Sequence, residues 1–215
     1  THEVVVVRIV SDNEHPDNDR FARDCARWVG QPIVNLRSDE YRDCWEVWER
    51  RRYIAGTKGA PCTTYLKKVV RESFQRPDDI QVFGFDLSEK TRSADFRSRN
   101  FELRILTPLS EEGLSKANCH ALIRAAGIEI PMMYRLGFNN NNCIGCPKGG
   151  AGYWNRVREH CPETFDRMAT LERSLGAKLI KLGGEHISLD ELPMGAGRKM
   201  VEPKIECDLL CPDFQ

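Results

Sequence analysis

The feature that most constrains the fold is a pair of short β-branched runs separated by one amphipathic stretch. Glu3-Val4-Val5-Val6-Val7-Arg8-Ile9-Val10 is bounded by polar residues and reads as a buried parallel strand. The loop Ser11-Asp12-Asn13-Glu14-His15-Pro16 follows it. Asp19 to Gly30 then reads as a helix, with Phe21, Cys25 and Trp28 on one face and Gly30 as its stop. Pro32-Ile33-Val34-Asn35-Leu36 is a second strand. Strand, helix and strand at this spacing make a βαβ unit, which requires parallel pairing and a right-handed crossover.

The pattern continues with helices over about 40–51 and 63–74, a strand at Ile80–Phe85 and another at Phe101–Leu106. From Glu111 the texture changes. Leu114–Ala126 reads as a helix, Pro131–Gly152 as a loop-rich segment, and Tyr153–Leu175 as helix broken at Pro162. The stretch holding Gly183, Gly184, Gly195 and Gly197 reads as irregular chain. The expected class is α/β, an open and mainly parallel sheet flanked by helices. Residues 1–110 form a nucleotide-binding-type core, and residues 111–215 a helical, irregular, cysteine-rich part packed on it.

The 215 residues are 40% apolar, enough for a substantial core. The 32 basic and 32 acidic residues cancel. That balance argues against coating nucleic acid or membrane by bulk charge, though not against a local basic groove. No segment approaches a membrane span and no signal peptide is read, so the nine cysteines are taken as cytoplasmic. In a reducing compartment, clustered cysteines point to metal or redox chemistry rather than disulfides.

Cys143-Ile144-Gly145-Cys146 is the strongest local signal. Two intervening residues let both thiolates face one metal, the glycine permits the tight turn, and backbone N–H groups of such a knuckle can donate to the sulfurs. The motif alone leaves zinc, iron–sulfur and dithiol chemistry open. Further ligands are available at Cys62, which opens a predicted helix, and at Cys207 and Cys211 near the end. Cys25 reads as core, and Cys44, Cys119 and Cys161 as core or surface residues within helical patterns. Loops after strands are where parallel sheets bind ligands, and here they are polar and charged.

These stretches together resemble the phosphoadenosine phosphosulfate reductase family, within the PP-loop adenine-nucleotide α-hydrolase group, and its small phage-type members in particular. The resemblance runs over nearly the whole chain. It rests on Ser11–Pro16, on Pro61-Cys62-Thr63-x-x-Leu66-Lys67, and on Gly84-Phe85-Asp86-x-x-Glu89-x-x-Arg92. It rests most on Gly137-Phe138-x-x-Asn141-Asn142-Cys143-Ile144-Gly145-Cys146-Pro147-Lys148-Gly149-Gly150, and also on Glu206-Cys207-x-x-x-Cys211. The resemblance implies a [4Fe–4S] cluster, with zinc as the alternative, on Cys62, Cys143 and Cys146, completed by Cys207 or by Cys211 in its place. It implies an adenine nucleotide, ATP or a phosphoadenosine phosphosulfate-like molecule, facing Asp12, His15, Gly84, Lys58 and Lys148. Lys67 and Arg92 would meet phosphate or sulfate oxygens, and Asp86 and Glu89 would hold Arg92 or contact Mg²⁺.

The resemblance begins at the family's second strand. The Ser-Gly-Gly-x-[DT]-Ser loop that cradles pyrophosphate in the family has no match here, and ATP cleavage depends on such a loop. The implied chemistry is thiolation or sulfonucleotide reduction, with a sulfur donor or reductase as partner and nucleic acid as one acceptor. The rival reading is a non-enzymatic metal-knuckle module without ATP cleavage. It would bind nucleic acid or protein, with Arg92, Arg97, Arg99, Tyr153 and Trp154 as a nucleic-acid patch.

Overall fold

The computed structural model describes residues 3–56, 59–141 and 143–197. Strand β1 (Val6–Ile9) pairs in parallel with β2 (Ile33–Leu36), with Val6 opposite Ile33 and Ile9 opposite Leu36. The crossover between them is α1 (Asp17–Val29), which ends at Gly30 in the left-handed conformation (φ +67°). The βαβ unit is therefore present as expected. Its strands are not fully buried, however: Val5, Val7 and Val34 are exposed. Among the described residues the ladder has two strands only, and α1 packs on it without covering both faces.

Helix α2 (Cys44–Arg51) starts later than its apolar pattern, because Asp43 intervenes in extended geometry and its carboxylate caps the Glu46 N–H at 2.8 Å. Residues 61–74 form one helical run of α3 (Pro61–Thr63), a π-helical turn (Thr64–Lys68) and α4 (Val69–Phe74). Strand β3 (Ile80–Val82) pairs in parallel with β4 (Arg104–Leu106), and α5 (Lys90–Arg99) lies between them in the chain. Then come α6 (Pro108–Glu111), α7 (Lys116–Ala125), α8 (Met132–Arg135), α9 (Ala151–His160) and α10 (Pro162–Leu175). The break at Pro162 falls where its missing N–H and ring forbid continuation of the helix.

The class is mixed α/β with small parallel sheets: the described strands form two separate parallel pairs rather than one continuous sheet. The stretch after α10 is more ordered than its glycines suggest. β5 (Ile180–Leu182) and β6 (Glu185–Ile187) form an antiparallel hairpin around Gly183 and Gly184. Both glycines have positive φ (+62° and +94°), as a tight two-residue hairpin turn demands.

The larger core joins the two expected parts of the chain. Trp45, Val47, Trp48 and Leu66 pack with Trp154, Val157, Met168, Ile180 and Leu189. Glu172 is fully buried within this region. Its two carboxylate oxygens accept the Leu179 and Leu189 N–H groups, each at 2.6 Å, which ties α10 to the hairpin on both sides. Phe85, Phe96 and Ile105 form a smaller cluster beneath β3 and β4. No helix of the described residues is long and apolar enough to cross a membrane.

Candidate functional site

The chain leaving β1 turns inward, so that Ser11 and Asn13 are buried while Asp12 faces outward. Asn13 holds two segments at once. Its side-chain oxygen accepts the Cys44 N–H at 2.6 Å, and its backbone carbonyl accepts the Ile144 N–H at 2.7 Å. One residue at the carboxyl end of β1 thus fixes both the start of α2 and the Cys143–Cys146 knuckle. Ser11 Oγ lies 3.7 Å from Cys143 Sγ, across 132 residues of sequence.

Cys44 belongs to the larger buried core, with Cys62 and Cys143 packed against that core, and its thiol feels both of theirs electrostatically. Three cysteines from separate parts of the chain thus border one core near the carboxyl end of β1. Their protons are unequally held. The Cys143 thiol is pulled down by the hydrogen bond from Cys44, against its burial, with the charge of Lys67 and the Ser11 hydroxyl helping. The hydrogen bonds with Cys143 and Cys62, together with burial, push the Cys44 thiol well up. Of the two, Cys143 gives up its proton the more readily.

Lys67 sits on the π-helical turn, and its ammonium donates to the Ile9 carbonyl and to Glu14 Oε1, both at 3.1 Å. Glu14 also pairs with Arg8 at 2.9 Å. The lysine is thereby aimed at the end of β1, beside the thiols. A π-helical turn displaces the side chains that follow it relative to an α-helix, and such turns recur at functional sites.

The knuckle has its own support. Gly145 has φ +82°, and a Cβ there would stand 2.8 Å from the Thr164 methyl. The Tyr153 hydroxyl accepts the Gly145 and Cys146 N–H groups, each at 2.9 Å, and donates to the Cys143 carbonyl at 3.2 Å. These N–H groups were expected to serve the sulfurs; the buried phenol takes them instead. Burial, with the nearby Cys146 adding to it, raises the Tyr153 pKa well above its ordinary value, so the hydroxyl stays neutral. Cys146 is buried in the same core.

The residues singled out after β3 do mostly structural work. Asp86 accepts from the Ser88 N–H and hydroxyl, both at 2.7 Å, and Glu89 accepts the Asp86 N–H at 3.1 Å, a reciprocal cap on the turn Leu87–Glu89. Glu89 also pairs with Arg92, as expected, and the guanidinium lies 5.2 Å from the Phe85 ring centre. Gly84 is exposed at the end of β3. The loop before the knuckle lies near this second strand end: burial raises the Tyr134 pKa, and the charges of Asp86 and Glu89 add to it. The segment leading to Cys143 therefore runs from one strand end toward the other.

Other expectations shift. Asp12 pairs with Arg37 at 2.7 Å on the surface, rather than standing open for a ribose or metal-bound water. His15 Nδ1 accepts the Asp17 N–H at 3.1 Å, which starts α1. Tyr153 and Trp154 are buried in the core and offer no stacking surface, so that part of the nucleic-acid patch is overturned. Lys148 is half-buried before α9. Lys58, Cys207 and Cys211 lie outside the described residues.

The sequence reading missed Asn13, Ser11 and Glu14, all of which stand in the loop already singled out. Cys44, expected as a core or surface residue, is buried in the larger core.

Cys62, Cys143 and Cys146 are thiols within or against the larger core, and thiols are the donor type an iron–sulfur cluster takes. Among the described residues, however, no group of three or more His, Cys, Asp or Glu side chains is placed to hold a metal ion. No protein-family model, curated protein or solved structure matches the chain.

Proposed function

We propose that the protein is an iron–sulfur protein similar to the phosphoadenosine phosphosulfate reductase family, acting with an adenine nucleotide in thiolation or sulfonucleotide reduction. In this reading its two parallel strand pairs belong to an open sheet of the adenine-nucleotide α-hydrolase type. The observation that carries it is the docking of the Cys143–Cys146 knuckle at the carboxyl end of β1, where the Asn13 carbonyl accepts the Ile144 N–H at 2.7 Å and Ser11 Oγ lies 3.7 Å from Cys143 Sγ. Ligand sites in parallel α/β folds lie at that edge.

The chain's own residues have definite tasks here. Asn13 and Tyr153 hold the knuckle rigid. Lys67, steered by Glu14 and the Ile9 carbonyl, places a positive charge near the Cys143 thiol and would meet a phosphate or sulfate oxygen brought to the strand end. Arg92, held by Glu89, supplies a second cation at the end of β3. A bound cluster would supply electrons or a Lewis-acidic iron at the same edge.

The test is anaerobic purification, followed by iron, zinc and acid-labile sulfide analysis and equilibrium dialysis with labelled ATP and with phosphoadenosine phosphosulfate. Iron with matching sulfide and saturable binding of either nucleotide support the reading. Zinc without sulfide overturns the cluster, and a loaded protein that binds neither nucleotide favours the non-enzymatic module.

A further inference from the structure

We infer that residues 193–197 are a strap that closes over the first turn of α9 and, through that turn, holds the cysteine knuckle shut. The inference stands apart from the metal reading, since it uses neither thiol chemistry nor a bound ligand.

Three observations carry it. The first is the place of the segment. Gly197 has φ +80°, and a Cβ on it would collide with the Gly152 nitrogen and the Ala151 carbonyl carbon, so backbone lies directly on backbone. α9 begins at Gly150 without a side-chain cap, and the segment is laid across that start. The second is the way the segment is held. Arg158 donates to the Leu189 and Leu192 carbonyls at 3.2 and 2.9 Å, and Leu192 is buried, so the chain is anchored up to that residue. Beyond it, among the described residues, the side chain that bonds the segment is Asn155, whose amide donates to the Pro193 and Ala196 carbonyls at 3.1 and 2.9 Å. Ala196 touches the edge of the core, while Met194 is 87% exposed. A segment held by one amide, with little apolar surface buried, belongs to the low-stability end of a fold. The third is what the covered turn does. Tyr153 follows Gly152 directly, and its hydroxyl bonds the backbone of Gly145, Cys146 and Cys143. A shift of the turn at Gly152 carries Tyr153 with it, so the strap and the knuckle are joined by a single residue step.

The experiment is peptide-resolved hydrogen–deuterium exchange on the whole chain, comparing wild type with Asn155→Ala, Gly197→Ala and the control Met194→Ala. Asn155→Ala removes both hydrogen bonds, and Gly197→Ala pushes the strap off with its Cβ. In the wild type, the amides of residues 194–197 should exchange at least about a hundredfold faster than those in the middle of α10. In both strap variants, the amides of Gly145, Cys146 and Trp154 should exchange at least about tenfold faster than in wild type, with α1 and the far-UV circular dichroism unchanged. Met194→Ala should match wild type. If Gly197→Ala does not fold, Asn155→Ala decides alone. Strap amides as protected as α10 in the wild type would make the segment a fixed part of the core and overturn the inference. So would a loosened strap with no change at Gly145 and Cys146, or a uniform rise in exchange along the whole chain.

Discussion

Replacing Tyr153 by Phe isolates the contribution of one hydroxyl to the cysteine knuckle. The ring stays, so its packing against Phe138 and Trp154 is kept. What is lost is an acceptor for two N–H groups at 2.9 Å and a donor to the Cys143 carbonyl at 3.2 Å. Gly145 and Cys146 are buried, so water does not easily replace the phenol. Each orphaned buried group costs about 1–3 kcal/mol, and partial relaxation of the turn brings the expected total to about 2–4 kcal/mol. With a urea dependence of about 2 kcal/mol per molar, the unfolding midpoint falls by about 1–2 M. Urea unfolding under anaerobic, reducing conditions measures this. Peptide-resolved alkylation supplies a local readout, in which Cys143 and Cys146 should become reactive below the transition while Cys25 does not. A midpoint within about 0.3 M of wild type, with unchanged alkylation, would refute the claim that the phenol holds the knuckle closed.

Other substitutions test neighbouring parts of the argument. Gly145→Ala combines a positive φ with a Cβ 2.8 Å from the Thr164 methyl, and should cost about 1–3 kcal/mol in urea unfolding and lower metal content; the paired change Thr164→Ser should recover part of the loss by removing that methyl. Burial raises the Glu172 pKa, so between its unfolded and folded values the native state binds more protons and stability falls as pH rises through that window. Glu172→Gln should be less stable at low pH, because it gives up one of two accepting oxygens, and should lack that fall; parallel slopes across the window would count against the assignment. Asp17 has the opposite sign. The hydrogen bond from Arg20, with the Met132 N–H and Arg135 assisting, lowers its pKa to about 2, so it stabilises above the unfolded value near 3.8 and loses that contribution as pH falls toward 2. Asp17→Asn should therefore be less stable than wild type at neutral pH and converge with it in acid, as followed by thermal melts across pH.

The local parts of the fold were legible in the sequence because they depend on near neighbours. The β-branched runs, the helix ending at Gly30, the break at Pro162 and the glycine inside the cysteine knuckle each follow from backbone preferences over a few residues. The Gly183-Gly184 hairpin was equally local, and was missed because glycine clusters also mark irregular chain. The partners of the knuckle were of another kind. Cys44 sits in a helical pattern that says nothing about its being near Cys143, and no spacing rule joins Asn13 to Ile144 or Tyr153 to the backbone of Gly145. Those contacts exist because a parallel crossover brings the ends of β1 and β2 side by side, and because the core of Trp45, Trp48 and Trp154 packs α9 against α2. Sequence by itself determined that a thiol-rich turn would form; tertiary packing decided which distant carbonyl and which hydroxyls would meet it, since burial leaves a polar group only the partners that the fold carries to it.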